Sequence, residues 1–149
     1  MQGFATSDSQ TLVLHATTVD FAGQGILIAG ASGAGKSALG LQLMALGASL
    51  VSDDRTCVSL SDGHLVARAP DAIAGMIEAR GVGLLKAKAL PESPLVLAVD
   101  LDQVEAERLP QDHIYQRGFV RLPCLHKIDA PYFPAAIVQF LKAGKQETG

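Results

Sequence analysis

The chain has 149 residues, 48% of them hydrophobic and 18% charged, and a formal net charge of -3. That length suits a single domain with a buried core, and the composition excludes a disordered or fibrous chain. The slight negative charge, without any block of like charges, gives no footprint for nucleic acid or an anionic membrane, so neither is an expected partner.

No basic region precedes the first apolar stretch, and no apolar run approaches the roughly 20 residues that span a bilayer. A cytoplasmic location is the expectation. Cys57 and Cys124 stand far apart and lack the spacing of a zinc or redox motif, so they read as reduced, buried thiols.

In chain order, residues 1–10 are rich in Ser, Gln, Thr and Gly and read as a flexible terminus. Leu12-Val13-Leu14 forms a first strand ending at His15. Residues 17–21 are a second β-prone stretch, Gly23-Gln24-Gly25 a turn, and Ile26-Leu27-Ile28-Ala29 a short buried strand. From Ser37 onward Leu39, Leu41, Leu43, Met44 and Leu46 predict a mostly buried helix, closed by Gly47 as a left-handed cap. Leu50-Val51-Ser52 is another strand, followed by Asp53-Asp54. Thr56 and Val58 lead to a turn at Ser61-Asp62-Gly63, and residues 64–67 pair back as a hairpin.

Between Pro70 and Pro94, Gly75, Gly81 and Gly83 surround Ile77-Glu78-Ala79-Arg80 and predict loops and short strands. Residues 95–99 are the clearest buried strand, residues 119–122 a weaker one, and residues 134–141 suit a terminal helix. Residues 144–149 read as a flexible tail, and no internal repeat or linker divides residues 11–143.

One segment carries explicit chemistry. Gly30-Ala31-Ser32-Gly33-Ala34-Gly35-Lys36-Ser37 fits Gly-x-x-x-x-Gly-Lys-Ser, with an apolar strand before it and a helix after it. Its glycines let successive N–H groups turn inward around phosphate oxygens, and the helix N-terminus adds the positive end of its dipole. Lys36 is a point charge for the β- and γ-phosphates, and the Ser37 hydroxyl suits the oxygen shell of magnesium. ATP and Mg2+ are the expected cofactors.

Phosphoryl transfer also needs a group that orients or deprotonates the acceptor. Two carboxylate positions follow strands: Asp53-Asp54, and Asp100 in the strand-then-Asp pattern of a Walker B motif. Spacing leaves both open as magnesium partners. His15 alone at a strand end reads as a structural or surface residue. Glu78 and Arg80 sit in an apolar, glycine-flanked setting, where they either pair with each other or meet magnesium and phosphate.

Taken together these motifs resemble the HPr kinase/phosphorylase family. The run from residue 26 to residue 54 is similar to that family's strand, phosphate loop, Gly-ended helix and Leu-Val-x-Asp-Asp, and residues 78–83 match its Glu-x-Arg-Gly-x-Gly. The resemblance implies an α/β fold, a P-loop-containing mixed sheet with helices like the nucleotide-binding part of phosphoenolpyruvate carboxykinase. It implies an ATP- and magnesium-dependent serine kinase acting on an HPr-type phosphocarrier protein, and a homo-oligomer.

By resemblance Asp54 is the proton acceptor with Asp53 beside it, and His15 lies by the phosphates. Ser37, Glu78 and Asp53 hold magnesium, while residues 30–37 with Ala38 and Arg80 hold the nucleotide. The chain departs from the family in three ways. It matches the catalytic domain alone, a short form; Ala38 stands where the family has Glu; and residues 127–135 have no counterpart of the family's Pro-Gly-Arg-Asn segment. Kinase activity is therefore expected over phosphorolysis. A regulatory ATP-binding module and a small-molecule kinase are the competing readings.

Overall fold

A computed structural model describes residues 10–146. Its strands are β1 (Thr11–Leu14), β2 (Ala16–Phe21), β3 (Gln24–Ala29), β4 (Ser49–Ser52), β5 (Thr56–Ser61), β6 (His64–Arg68), β7 (Met76–Ala79), β8 (Gly83–Lys86), β9 (Ser93–Val104), β10 (His113–Arg117) and β11 (Val120–Lys127). Its helices are α1 (Lys36–Ala45) and α2 (Phe133–Ala143), with a 3-10 turn at Asp71–Ile73.

Nine strands form one curled mixed sheet in the order β1-β5-β6-β9-β3-β2-β4, with β11 joined to β9 and β10 to β11. β3 and β9 run parallel, whereas β2 is antiparallel to both β3 and β4. Helix α1 thus carries the chain from β3 across β2 to β4. β7 and β8 form a separate two-stranded hairpin.

Alternation along the central strands fills two cores. Ile26 and Ile28 join Leu97, Val99 and Leu43 in the layer under the helices, while Leu27 and Ala29 face Val51, Val58 and Ala98 inside the curl. Being buried on both faces explains why β3 reads as a continuous apolar run. Helix α1 ends as expected: Gly47 has φ +115°, and the N–H groups of Gly47 and Ala48 bond the carbonyls of Met44 and Leu43.

Several expectations are corrected. The first hairpin turns at Ala22 and Gly23, both with positive φ, so Gln24 and Gly25 already belong to β3. α1 starts at Lys36, one residue before the expected Ser37, and Leu46 is its cap. β9 is 12 residues long, well beyond residues 95–99, because its two ends pair with different neighbours. β10 was not anticipated, and β11 runs from Val120 to Lys127 instead of residues 119–122. Cys124 is buried and free, but Cys57 is only half-buried.

Of the ends expected to be flexible, residues 1–9 and 147–149 lie outside the described residues. Lys145 pairs with Asp112 at 3.1 Å.

Candidate nucleotide site

Strand register assembles the site. β2 is antiparallel to β3 with Ala16 opposite Ala29, and to β4 with Thr18 opposite Ser52. The residues just before β2 therefore meet those just after β3 and β4. His15 is set next to the start of the phosphate loop and beside Asp54, although 39 residues separate it from Asp54 in sequence.

The loop itself bends at Gly30, Gly33 and Gly35, with φ of +154°, +85° and +103°. These angles place glycines where side-chain-bearing residues are strained. Gly35 caps α1 without any side-chain hydrogen bond, so the first-turn N–H groups stay uncapped by side chains, as an anion site requires. The Lys36 ammonium folds over the loop and donates to the carbonyls of Gly30 and Ala31 at 2.9 and 3.1 Å. The Ala31 N–H is held by the Asp102 carboxylate at 3.0 Å.

Opposite the loop stands Asp53, buried after β4. Its Oδ1 accepts from Ser37 Oγ at 2.6 Å and Thr17 Oγ1 at 2.8 Å, and its Oδ2 accepts the Glu78 N–H at 2.9 Å. Three chain segments thus converge on one carboxylate. With its proton committed to Asp53, the Ser37 oxygen keeps lone pairs free; Ser37 and Asp53, with Glu78 on the lining of the adjoining cavity, carry oxygen donors of the type a hard divalent cation takes.

Asp54 is exposed and bonds His15 Nε2 through Oδ1 at 2.8 Å. Its φ is +67°, and the Arg55 N–H reaches back to the Asp53 carbonyl at 2.7 Å, the hydrogen bond of a positive-φ γ-turn. Such backbone is costly for a non-glycine residue and is held only by its surroundings. Thr17 supplies part of that hold, accepting the Asp54 N–H at 3.3 Å while donating to Asp53.

A cavity of about 500 Å³ lies between these walls, lined by Gly33, Lys36, Ser37, Asp54, Glu78 and Arg80 among others. Ala38 borders it, and His15 stands just outside its lining. A second cavity of about 360 Å³ touches the same loop at Ala34 and Gly35 and runs to the start of α2. Residues 78–83 form the tip of the β7–β8 hairpin, with Glu78 opposite Leu84 and Ala79 opposite Gly83. Glu78 and Arg80 do not pair with each other: among the described ion pairs neither takes part.

Asp100 stands opposite Ala29, just before the loop, but does not line the cavity. It shares its strand face with Ala98, inside the curl, and its charge helps push the Cys124 thiol up to about 11, after burial itself. Its Oδ1 accepts the Asp102 N–H. Asp53, not Asp100, bonds Ser37, because β4 ends beside α1's first turn. Thr17, and Asp102 on the Ala31 amide, were missed by sequence reasoning. A threonine within a β-prone run and an acid past the expected strand at residues 95–99 carry no spacing signal.

The family described as HPr Serine kinase C-terminal domain matches residues 7–112. The HPr kinase/phosphorylase of Clostridium beijerinckii is 46% identical over 72 residues, covering 48% of this chain and 24% of that protein. That of Cupriavidus metallidurans is 37% identical over 115 residues, covering 70% of this chain and 36% of that protein. A solved Hpr(Ser) kinase/phosphatase from Coxiella burnetii has the same fold, with a TM-score of 0.73 at 20% identity over 88% of each chain. The chain is an α/β protein with a phosphate loop, and it belongs to the HPr serine kinase C-terminal domain family. The matched stretches span about a quarter to a third of those curated relatives' lengths.

Proposed function

We propose that this chain is an ATP- and magnesium-dependent serine kinase whose acceptor is an HPr-type phosphocarrier protein. The observation that carries the reading is the juxtaposition, across one cleft, of the phosphate loop with Asp54, an exposed carboxylate in strained backbone beside His15. The family's name supports the acceptor class.

Residues 30–37 would cradle the phosphates, with Lys36 leaving its loop carbonyls for the β- and γ-oxygens and Arg80 reaching across the cleft. The cavity beside Ala34 and Gly35 offers room for the nucleoside. Ser37, Asp53 and Glu78 would hold magnesium, which when bound neutralises charge on the transferring phosphoryl group. Asp54 would accept the serine hydroxyl proton, and His15 would orient that carboxylate through its 2.8 Å hydrogen bond. Asp53 is taken up by the Ser37 and Thr17 hydroxyls, so it would position Ser37 and leave Asp54 as the base.

A protein acceptor is favoured over a metabolite by the hairpin tip. Val82 and Leu84 are 76% and 65% exposed there, at the edge of the cleft, an apolar rim suited to another protein's surface. The location that goes with this acceptor is the cytoplasm. No helix among the described residues is long and apolar enough to cross a membrane.

The test is transfer from γ-labelled ATP with magnesium to an HPr-type carrier and to the same carrier with its acceptor serine replaced by alanine. Label on the first alone is the expected result. Nucleotide binding without transfer would instead mark a regulatory module, and transfer only to metabolites a small-molecule kinase.

A further inference from the structure

We propose that Glu105, His113 and His126 form a transition-metal site, of the kind zinc occupies, on the wall of a cavity separate from the nucleotide cleft. Ligand atoms of these three side chains lie within 4.8 Å of one another, and no other such cluster of His, Cys, Asp and Glu occurs among the described residues. The adjoining cavity is about 690 Å³; it shares no lining residue with the cleft at Ser37 and meets the cavity beside Ala34 only at Ile128 and Phe133. His113 and His126 also lie past residue 112, where the family match ends.

The cluster is built by an irregularity in the sheet. β11 pairs with β9 in parallel up to His126 opposite Asp100, and then the register jumps so that Lys127 meets Val104. Residues 101–103 of β9 bulge out, and the chain returns with the Glu105 N–H on the Lys127 carbonyl at 2.9 Å. Bulges of this kind re-aim side chains, and this one sets Glu105 beside the end of β11. On β10, His113 stands opposite Cys124, so His126 two residues on is its diagonal neighbour.

The carboxylate is already oriented. Glu105 Oε2 accepts the N–H groups of Ala106 and Glu107, both at 3.1 Å, which leaves Oε1 to His113 Nε2 at 2.7 Å. Fixing a ligating carboxylate by backbone amides is what a supporting shell does in metal sites. Two imidazoles and one carboxylate leave a fourth position, which here opens on the cavity, the donor set and vacancy that suit zinc.

The imidazoles are stacked, centroids 3.7 Å apart and planes 6° from parallel. A metal–nitrogen bond lies in its ring's plane, so two parallel rings cannot share an ion. Binding must swing one ring about χ2, and the cavity that both rings border provides the space. The hydrogen on His113 Nε2, shared with Glu105, passes to solvent as the metal takes that nitrogen.

The experiment uses the full chain with cobalt and then zinc, in excess magnesium so that the Ser37–Asp53 site is not read. Tetrahedral or five-coordinate Co2+ shows intense visible d–d bands. The bands are expected at one Co2+ per chain, displaced by Zn2+, unchanged in Asp53→Asn, and weakened by at least ~100-fold in affinity in His113→Gln and His126→Gln. A readout without mutation guards against variants that misfold: zinc should shift the ring nitrogen resonances of His113 and His126 and leave those of His15 and His64 in place. Absent bands, bands that survive the double His113→Gln and His126→Gln variant, bands lost in Asp53→Asn, or zinc shifts only at His15 or His64 would each overturn the site.

Discussion

Residues 30–37 are one unbroken stretch shaped by backbone angles at three glycines, whereas the wall facing them is assembled from β2, β4 and β7 by side chains. The loop needs no distant partner to take its form, apart from the Asp102 bond to Ala31. The wall has no form without distant partners: Asp53 is held from Thr17, Ser37 and Glu78 together, and Asp54 from Thr17 and His15. In the proposed function, binding would be concentrated where backbone donors are preorganised, and chemistry where several strands must agree. The two walls should fail differently when single residues are changed.

The largest expected effect is at Asp54. Asp54→Asn should lower transfer to an HPr-type carrier by about 10²–10⁴, the range for a lost general base, with nucleotide affinity unchanged. Near-normal transfer would break the assignment. His15→Gln should slow transfer less and leave the melting temperature almost unmoved, because the His15–Asp54 pair is more than half exposed and pairs of that kind stabilise by at most about 1 kcal/mol.

Thr17 gives the next effect. It is fully buried and bonds both acids, so Thr17→Val should cost about 1–3 kcal/mol by leaving a buried carboxylate short of a donor. Thr17→Ser keeps the hydroxyl and should restore most of the stability and the transfer rate in urea melts and carrier assays. The site tolerates little bulk: Gly40 of α1 packs so close that a Cβ there would lie 3.0 Å from Thr17 Cγ2. A loss in the serine variant with little or none in the valine variant would make Thr17 a packing residue only.

Gly35→Ala tests the opposite wall. Nothing stands within 4 Å of a Cβ at Gly35, so the substitution acts only through the φ of +103°. The expected cost is about 1–2 kcal/mol, read as a roughly tenfold loss of nucleotide affinity by titration, with the Asp53 network intact. Unchanged affinity would show that the loop's shape is imposed from outside it.

These contrasts also explain what was legible beforehand. The loop could be read because its eight residues are contiguous and each position carries its own chemical demand, and β3 and α1 because apolar spacing reports burial. Asp53, Asp54 and Glu78 were visible as residues, but what each bonds depends on the register of β2 against β4, which local patterns do not encode. The turn at Ala22-Gly23 was misplaced because Gly25 also looks like a turn residue; it is glycine because a Cβ would lie 2.6 Å from the Pro94 carbonyl oxygen of β9. β10 went unseen because its alternation is weak, with Tyr115 alone buried between exposed neighbours.

Asp100 supplies the smallest effect and the sharpest check on which acid serves the cleft. Its strand-then-Asp pattern is as good as that of Asp53, yet it sits inside the curl of the sheet near Cys124. Burial first, and then the Asp100 charge, raise the Cys124 thiol from its ordinary 9.0 to about 11. A thiol that keeps its proton in the folded state while the unfolded chain loses it makes stability fall as pH rises from about 9 towards 11. Alkylation of the folded chain at pH 8 should accordingly mark Cys57 and spare Cys124, as intact mass and peptide mapping would show. Asp100→Asn should bring the onset of Cys124 alkylation to lower pH and leave carrier phosphorylation unchanged. A loss of transfer in that variant would return Asp100 to the nucleotide site and make it a second working acid beside Asp53.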